Sequence, residues 1–546
     1  MPELEFDYVI VGAGSAGCVL AARLSEGGRH TVALIEAGGS DDSFWFRIPV
    51  GYARSYFDPR VNWMYSTEPE AELGGRSIYT PRGKVQGGSG SINAMVFVRG
   101  DRADFDDWAA VAGPDWSFDA VLPAFRRLET HADGASEWHG DAGPIHVTPM
   151  RDGIHPVTRR FLDACRELQL PATPDFNGAA IEGAGVYDVS TRRGQRSSSS
   201  FEYLWPALKR PNLAILRHAH AERLLFDDAH RATGVMLRQN GVVRTVTARR
   251  EVILTAGAVG TPKLLQLSGI GDGATLQAAG VAVRRHSPAV GANLQDHLCA
   301  SFYYRSRVPT LNAAFGSRLG QARLGLQYLL TRRGPFAMSV NQAGGFFRGN
   351  PEASRPTIQL YFNPLSYRIP PNPGAGLAPE PYPGFLLAFN ACRPTSRGSV
   401  AIAGPDPEAP PLIRPNYLST EGDRREAVEG ARLARRIMAA PALRDVTVEE
   451  MPPSHLAQDD GDLLTWFRGA SGSIYHLCGT CRMGRDPATS VTDPRLRVHG
   501  AEALRIADAS VFPNITAGNI QAPTLMVAEK ASEIIRQDSQ KDATIS

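Results

Sequence analysis

The sequence predicts two kinds of architecture in one chain, an α/β region and an α+β region. Three observations predict this. Residues 6–36 alternate strand, helix and strand patterns, residues 210–260 hold a series of short strand patterns, and residues 311–470 alternate strand patterns with loops and include an amphipathic helix at 421–440. Alternating β and α segments favour a parallel sheet covered by helices, whereas strands in series favour an antiparallel sheet.

The amino-terminal stretch carries the clearest pattern in the chain. Phe6–Val11 is a short run of β-branched and aromatic residues that predicts a strand, and Cys18–Leu24 has small and apolar residues at helical spacing. Thr31–Ile35 is a second apolar strand, which ends on Glu36. This order of elements is typical of the first half of a nucleotide-binding unit.

The turn between the first strand and the helix has G-x-G-x-x-G spacing at Gly12, Gly14 and Gly17. Gly12 allows the tight turn, Gly14 lets a pyrophosphate approach the backbone, and Gly17 lets the helix pack close to the sheet. The helix N-terminus offers free N–H groups to phosphates, and Glu36 can accept both ribose hydroxyls. The pattern predicts a Rossmann-like dinucleotide site, compatible at this point with FAD or NAD.

Composition limits the other function classes. The chain has 546 residues, a net charge of +2 and six cysteines, and no apolar run approaches the roughly 18 residues of a membrane span. Bulk attraction to nucleic acid or to an anionic membrane is therefore not expected, and the cysteines do not indicate a disulfide framework. With an acidic N-terminus that leads straight into a strand, we expect a cytoplasmic enzyme with free thiols.

Two loop regions follow the first unit. Residues 40–80 are proline-rich and are interpreted as a lid over a cofactor. Pro81–Val96 is rich in Gly and Ser, which permits backbone approach to a planar or anionic group. A flexible surface loop is the alternative for this segment, but its low charge and the apolar residues that follow disfavour it.

The remaining elements complete the expected fold. Residues 101–130 have a helical pattern, and Gly257–Gly271 reads as a loop, a helix and a glycine stop. The loop Pro370–Pro383 is too proline-dense for a core element, and the tail from Gln537 is polar and expected to be disordered. Further strands are expected at Leu213–Leu216, Ala221–Phe226, Gly234–Leu237, Val242–Thr247, Glu251–Thr255, Ala343–Phe347, Thr357–Phe362, Gly384–Asn390 and Gly398–Ile402.

Four separated motifs together resemble those of the glucose–methanol–choline oxidoreductases, over essentially the whole chain. They are the N-terminal fingerprint that ends Glu36-Ala37-Gly38, the segment Gly83–Asp106, the segment Gly257–Gly271, and the C-terminal pair Tyr475–Gly484 and Asp508–Thr524. The resemblance implies FAD as the cofactor. Some members of that family attach it through a histidine, but Asn93 occupies that position here, so we expect non-covalent FAD.

The resemblance also implies the domain organisation and the cofactor contacts. Residues 1–155, 210–310 and 471–546 are expected to form a discontinuous FAD-binding domain, and residues 156–209 and 311–470 a substrate-binding domain. The residues expected to contact FAD are Gly12, Gly14, Ser15, Gly17, Glu36, Ala37, Gly83, Val85, Gly88, Ser89, Asn93, Ala94, Met95, Val96, Ala221, Asp508, Ala509, Asn519, Ile520, Gln521 and Thr524.

The reacting groups follow from the chemistry of alcohol oxidation. A base must take the hydroxyl proton and a donor must hold the forming alkoxide; by resemblance these are His476 and Asn519, at the positions of the family's catalytic pair. A core histidine and a turn residue are the alternatives for them. Tyr361, Asn363 and Tyr475 are candidate substrate contacts. We interpret His297 as structural and His499 as a turn residue.

The expected activity is oxidation of an alcohol, primary by preference, to an aldehyde, with oxygen or a quinone-type carrier as electron acceptor. A non-redox lyase and a light-driven decarboxylase on the same scaffold are the alternatives, and a non-catalytic flavin protein is disfavoured because His476 and Asn519 are both present. Cys478 and Cys481 have the C-x-x-C spacing of a redox dithiol, but they lie inside the histidine motif, and we expect free thiols. No acidic aromatic cage for choline stands out, which favours a neutral alcohol.

Overall fold

Two seven-stranded sheets frame the molecule in the computed structural model, which describes residues 4–368 and 377–545. In the first sheet Ile10 lies between Leu34 and Ile253, all in parallel strands. The strands of this sheet, in spatial order, are Leu213–Leu216, Val32–Ile35, Leu4–Val11, Val242–Leu254, Ala232–Gln239 and Ala219–Phe226, with Leu504–Ile506 also paired to Val242–Leu254.

The parallel strands are apolar and buried at residues 9–11, 32–35 and 252–254, where helices and further chain cover the sheet. Val32–Ile35 is buried at every position, as parallel sheets require. The helices Ser15–Leu24 and Gln521–Ile545 pack on each other within the same apolar core. The first forty residues and the last thirty therefore share one core.

The second sheet is antiparallel throughout, and its strands alternate between two environments. Phe362, Leu387 and Phe389 point into a core shared with the helices Pro156–Glu167 and Glu421–Met438, while Tyr361 and Ala388 border a cavity. Such alternation follows from the period of two along a strand. The strands, in spatial order, are Thr447–Glu450, Leu298–Ser306, Gly384–Ala391, Ile358–Asn363, Ala343–Phe347 and Gly183–Val186, with Gly472–Ser473 paired to Leu298–Ser306.

The other elements are helices and short strand pairs. The further α-helices of more than four residues are Arg102–Ala112, Phe118–Leu128, Gly257–Leu267, Gly273–Ala278, Leu311–Phe315, Arg318–Thr331 and Asp460–Ala470, and Ser200–Leu204 is a π-helix. Shorter helices are Phe44–Arg47, Tyr52–Ser55, Ser89–Ile92, Trp205–Ala207 and Pro441–Arg444. The small sheets pair Tyr65–Ser66 with Tyr79–Thr80, Thr191–Arg192 with Gln195–Arg196, Ile270–Gly271 with Arg285–His286, Tyr367–Arg368 with Ala378–Pro379, and Ser399–Ala401 with Leu412–Arg414, and one joins Glu129–His131, Ile145–Pro149 and Asp188–Val189.

The predicted fold class, α/β combined with α+β, is confirmed by the two sheets. Leu298–Ser306 lies within the segment 210–310 assigned to the FAD-binding domain, yet it pairs into the second sheet. Gly472–Ser473, from the segment 471–546, pairs with the same strand. The chain therefore crosses between the sheets at these points, and the domain boundaries stay a prediction.

The prediction of a disordered tail from Gln537 is wrong, because the last helix continues to Ile545. Asp538 explains the continuation. Its carboxylate accepts hydrogen bonds from Arg495 at 2.5 Å and from the buried Arg505 at 2.8 Å. Composition could not show that a polar segment has such partners. Residues 370–376, half of the predicted loop Pro370–Pro383, lie outside the described residues, and the described half contains only the short edge strand Ala378–Pro379.

Within residues 4–368 and 377–545, no helix combines the length and the apolar character needed to cross a membrane.

Candidate active site

One cavity of about 1480 Å³ lies where the parallel strands of the first sheet end. Val11 and Ile35, the last residues of two of these strands, border it together with Thr255. Ligands bind at the carboxyl ends of the strands in open α/β sheets. The cavity continues to the second sheet, which contributes Tyr361 and Asn363.

The nucleotide end of the cavity is formed by the glycine turn and Glu36. The Glu36 carboxylate accepts hydrogen bonds from the backbone N–H of Ala13 at 3.0 Å and of Gly38 at 2.7 Å. Burial raises the pKa of Glu36 to about 7. The two bonds fix the carboxylate at the edge of the cavity, where ribose hydroxyls would meet it.

Three glycines show how closely the backbone segments approach here. A Cβ on Gly17 would lie 1.9 Å from the Gly12 carbonyl oxygen, and a Cβ on Gly88 would lie 2.8 Å from the Cα of Gly14. A Cβ on Gly14 would meet only the Thr255 oxygen, at 3.7 Å, on the cavity wall. The helix that starts at Ser15 has no side-chain cap, so its first N–H groups suit an anion such as a diphosphate.

The C-terminal segment closes the same cavity from the other end of the chain. The Asp508 carboxylate accepts from Gly257 N at 2.8 Å and from Thr261 Oγ1 at 2.7 Å, and Ser15 Oγ donates to Gln521 Oε1 at 3.0 Å. Arg82 Nη2 is buried without a hydrogen-bond partner among the described residues, and Arg82 borders the cavity. An acceptor on a bound group would satisfy it. These donors and the open glycine wall fit an extended dinucleotide such as FAD.

The structure places nearly all the residues predicted to contact the cofactor on the cavity wall. Gly17 and Val85 are the exceptions, since neither borders the cavity. Gly17 packs against the glycine turn, and Val85 is fully buried and bridges to Gly39. Asn93 does border the cavity, and its Oδ1 accepts from Arg196 at 2.7 Å. The carboxamide has no nucleophilic nitrogen comparable with an imidazole.

At the reacting end, a chain of hydrogen bonds fixes the tautomer of His476. His297 Nε2 lies 2.9 Å from the carbonyl oxygen of Cys392, which can only accept, so Nε2 carries the hydrogen. Burial lowers the pKa of His297 to about 4, so the ring is neutral and its Nδ1 is an acceptor. His476 Nδ1 lies 2.9 Å from that atom and must donate to it. His476 Nε2 is therefore unprotonated, and its lone pair accepts a hydrogen bond from the Asn519 amide nitrogen at 3.2 Å.

This geometry corrects the interpretation of His297 as merely structural, since it contacts the candidate base directly. The sequence signal for this contact was the G-A-N-L-Q-D-H run, in which Asp296 directly precedes His297. Asp296 accepts from His476 N at 2.7 Å, Tyr417 Oη at 2.6 Å and Ser473 Oγ at 2.5 Å. Both residues of the Asp-His pair thus position His476, one through its backbone and the other through its ring.

The backbone beside His476 is strained. Tyr475 has a φ of +72°, which a bulky side chain rarely adopts. Its carbonyl accepts from Arg82 Nη1 at 2.7 Å and its N–H donates to Ser473 Oγ at 2.8 Å. Burial, with the neighbouring His297 and Arg82, holds the pKa of His476 well below its usual value. The ring is therefore neutral, with its Nε2 unprotonated.

The candidate substrate contacts lie around this centre. Tyr361 Oη donates to Asn519 Oδ1 at 3.3 Å, and Tyr475 makes an edge contact with Tyr56 at 5.4 Å between ring centroids. Asn363 borders the cavity without touching His476 or Asn519. Further aromatic rings on the wall belong to Tyr52, Phe57, Tyr79, Tyr303, Tyr367 and Trp466.

No carboxylate of the described residues borders the reacting end of the cavity. Among the described residues that border the cavity, Glu36 and Asp508 carry the only carboxylates, and both are held by backbone N–H groups. Asp296 lies behind His476 and does not border the cavity. The reacting end thus offers aromatic rings and Arg82 but no exposed anion.

All six cysteines are free and buried. Burial raises the pKa values of Cys478 and Cys481 well above the usual thiol value, which disfavours the thiolates that a redox dithiol needs. Among the residues that the structure describes, no group of three or more His, Cys, Asp or Glu side chains could hold a metal ion.

Comparison with known proteins identifies the family. Two GMC oxidoreductase models match this chain, the N-terminal one over residues 6–299 and the C-terminal one over residues 394–528. The chain belongs to the GMC oxidoreductase family. Its resemblance to these enzymes, inferred from four motifs, is confirmed.

Individual relatives cover nearly the whole chain. An oxygen-dependent choline dehydrogenase of Vibrio vulnificus is 41% identical over 98% of this chain and 94% of its own length. An alcohol dehydrogenase [acceptor] of Pseudomonas putida is 40% identical over 97% and 95%. The crystal structure of pyridoxine 4-oxidase from Mesorbium loti superposes with a TM-score of 0.88 at 31% identity, covering 97% of this chain and 99% of that one.

This GMC oxidoreductase is thus an FAD-dependent enzyme that acts on the CH–OH group of an alcohol. No relative supports the lyase alternative.

Gly14→Ser tests the nucleotide end of the cavity. Serine is a favoured N-cap and its Cβ has room against the protein, so we expect the melting temperature of the apoprotein to change by less than about 2 °C. The side chain would occupy the diphosphate approach, so FAD affinity, measured by flavin fluorescence quenching, should fall about tenfold or more. Gly17→Ala is the matched control: its Cβ collides with Gly12, and it should lower the melting temperature itself. Wild-type FAD affinity in Gly14→Ser would contradict the assignment.

Proposed function

We propose that His476 Nε2 takes the hydroxyl proton of the alcohol and that the Asn519 amide N–H stabilises the forming alkoxide. The observation that carries this is the hydrogen-bond chain from Cys392 through His297, which leaves a lone pair on His476 Nε2 inside the cavity. Asn519 lies beside this atom at 3.2 Å, within reach of the same substrate oxygen.

The residues divide the reaction between them. Bound FAD supplies the acceptor for the hydride that leaves the carbinol carbon. His476 holds the proton from the hydroxyl, so the alcohol loses one proton and one hydride and becomes an aldehyde or ketone. Asn519 is held by Tyr361 through its Oδ1, which directs its N–H groups toward the alkoxide. Aldehyde formation from a primary alcohol is the proposed reaction.

The proposed substrate is a neutral alcohol with apolar or aromatic character. Aromatic rings surround the reacting end, and no carboxylate borders it. Arg82 borders this end of the cavity and hydrogen-bonds to the backbone of Tyr475. A permanent cation such as choline would have cation–π contacts but no counter-ion, and it would be repelled by Arg82. These features support a neutral alcohol, although several relatives are choline dehydrogenases by name.

The proposed attachment of FAD is non-covalent, which Asn93 supports. Its carboxamide is engaged by Arg196 and by the Met95 N–H, and amide nitrogen is a poor nucleophile. Acid precipitation should release the yellow cofactor into the supernatant. A yellow pellet would contradict the proposal.

Substitution of the two histidines should separate their roles. His476→Ala removes the base, and turnover should fall roughly 10²-fold or more. His297→Phe removes the acceptor that fixes the tautomer of His476, and kcat should fall about tenfold or more while the flavin content is retained. His499→Ala is the control, because the His499 ring lies on a partly exposed turn and its hydrogen bond, at 3.0 Å, is to Ser490 Oγ. Equal, small effects in all three variants would refute both roles.

The pH profile follows from the depressed pKa of His476. A base must be unprotonated, and a pKa below the usual value keeps it so throughout the neutral range. We expect kcat/KM to be level from about pH 6.5 to 8.5 and to fall only on further acidification, below the ordinary histidine pKa of about 6.5. An acid limb centred above pH 7 would show that His476 is not the group that must lose a proton.

A panel of alcohols tests the substrate class. Mixed without oxygen, neutral aryl, furanic and aliphatic alcohols should bleach the flavin absorbance faster than choline at equal concentration. Admitting air then distinguishes the acceptors, since rapid return of the yellow colour indicates oxygen and slow return indicates a quinone-type carrier. Choline as the fastest reductant would contradict the neutral-alcohol proposal.

A further inference from the structure

The helix Arg318–Thr331 presents leucines to solvent. Leu319 is 83% exposed, Leu326 59% and Leu330 76%, whereas Tyr328 on the opposite side is 1% exposed. Positions 319, 326 and 330 are seven and four residues apart, which places them on one stripe of an α-helix. Isolated exposed leucines are ordinary, but three on one stripe form a patch.

A short helix with exposed aromatic residues packs against the opposite side of the same helix. Phe44 and Trp45 are 44% and 43% exposed, and Phe44 contacts Tyr328 at 6.5 Å between ring centroids. The leucine stripe itself is therefore left uncovered. We call the surface that Leu319, Leu326 and Leu330 form with the exposed arginines Arg318, Arg323 and Arg333 the leucine–arginine face.

The charged side chains on the helix Arg318–Thr331 and directly after it are all positive. Among the described residues, the guanidinium groups of Arg318, Arg323 and Arg333 make no salt bridge or hydrogen bond, and no Asp or Glu occurs between residues 307 and 351. The net charge of +2 for the whole chain therefore conceals a local cluster. Unpaired arginines beside exposed leucines attract an anionic partner that also accepts apolar side chains.

The face adjoins the cavity. Arg318, Gln321 and Ala322 of the helix border the cavity, as does Trp45. One side of the helix therefore forms part of the cavity wall while its leucine stripe faces outward. Whatever covers the leucines also lies next to this part of the cavity.

We propose that the leucine–arginine face binds the surface of an anionic lipid bilayer. A helix with leucines on one stripe and arginines beside them can lie in the headgroup region, with the leucines inserted and the guanidinium groups on lipid phosphates. A second copy of the chain is a poorer occupant, since a two-fold axis through the face would bring unpaired arginines of both copies together. In the light of the proposed function, docking brings the cavity next to lipid-soluble alcohols or acceptors; the docking itself does not rest on that function.

Vesicle sedimentation of the FAD-loaded enzyme tests the proposal. The probes are vesicles of phosphatidylcholine alone and of equal parts phosphatidylcholine and phosphatidylglycerol. We expect binding to the anionic vesicles only, weakening as salt is added. Leu326→Gln/Leu330→Gln should reduce the partition coefficient at least tenfold, and Arg323→Gln/Arg333→Gln about fivefold for each charge. Leu456→Gln is the matched control, because Leu456 is 66% exposed on another segment, and its binding should equal that of the wild type.

Flavin content and melting temperature check that each variant is folded, and none of these readouts needs turnover, so failure of docking and failure of the proposed reaction are distinguishable. Absence of binding to anionic vesicles overturns the proposal. Binding by the leucine and arginine variants that equals wild-type binding also overturns it. Sedimentation that shows a wild-type dimer, split into monomers by Leu326→Gln/Leu330→Gln without vesicle binding, would instead make the face an interface between copies.

Discussion

The one-directional hydrogen bond from His297 to the Cys392 carbonyl sets the chemistry of the whole site. A carbonyl oxygen cannot donate, so the polarity of each following bond is determined, through His297 to His476 and then to the cavity. Burial keeps both rings neutral, and a neutral chain can have only this arrangement of protons. The lone pair of the candidate base is therefore a consequence of a backbone group that follows a strand of the second sheet.

That constraint requires the second sheet and the last helix to keep fixed positions relative to each other. His297 directly precedes the second-sheet strand Leu298–Ser306, while His476 follows the short strand Gly472–Ser473, which pairs with it. Asn519 comes from the segment that starts the last helix, which packs against the helix after the glycine turn. Ser15 and Gln521, 506 residues apart, bond directly across this contact. The segments that would hold the nucleotide and those that would move the proton are thus joined by direct packing and hydrogen bonding.

The outer surface at the helix Arg318–Thr331 differs from the cavity wall in how its charged groups are paired. On the cavity wall, the two carboxylates Glu36 and Asp508 are held by backbone N–H groups. On the helix Arg318–Thr331, arginines and leucines are exposed together without partners among the described residues. Such a surface is costly in water because its apolar area stays hydrated, and an interfacial partner would remove that cost. With the proposed lipid contact in place, the adjoining cavity would lie next to alcohols dissolved in the bilayer. The membrane would then help to select the substrate.

Sequence alone determined the elements whose signal is local. The glycine spacing at Gly12–Gly17, the acid at Glu36 and the alternation in strands such as Ile358–Asn363 each depend on neighbours within a few residues, and the fold class they predict is confirmed. The four motifs likewise identified the family, and they placed His476 and Asn519 together correctly. Tertiary structure decided what depends on distant partners. His297 and His476 are 179 residues apart, the polar tail is helical because Asp538 meets Arg505, and the leucines of Arg318–Thr331 face solvent rather than core. The physical reason is the same in each case: a residue's protonation, order or exposure is set by what packs against it, and a linear pattern does not record that.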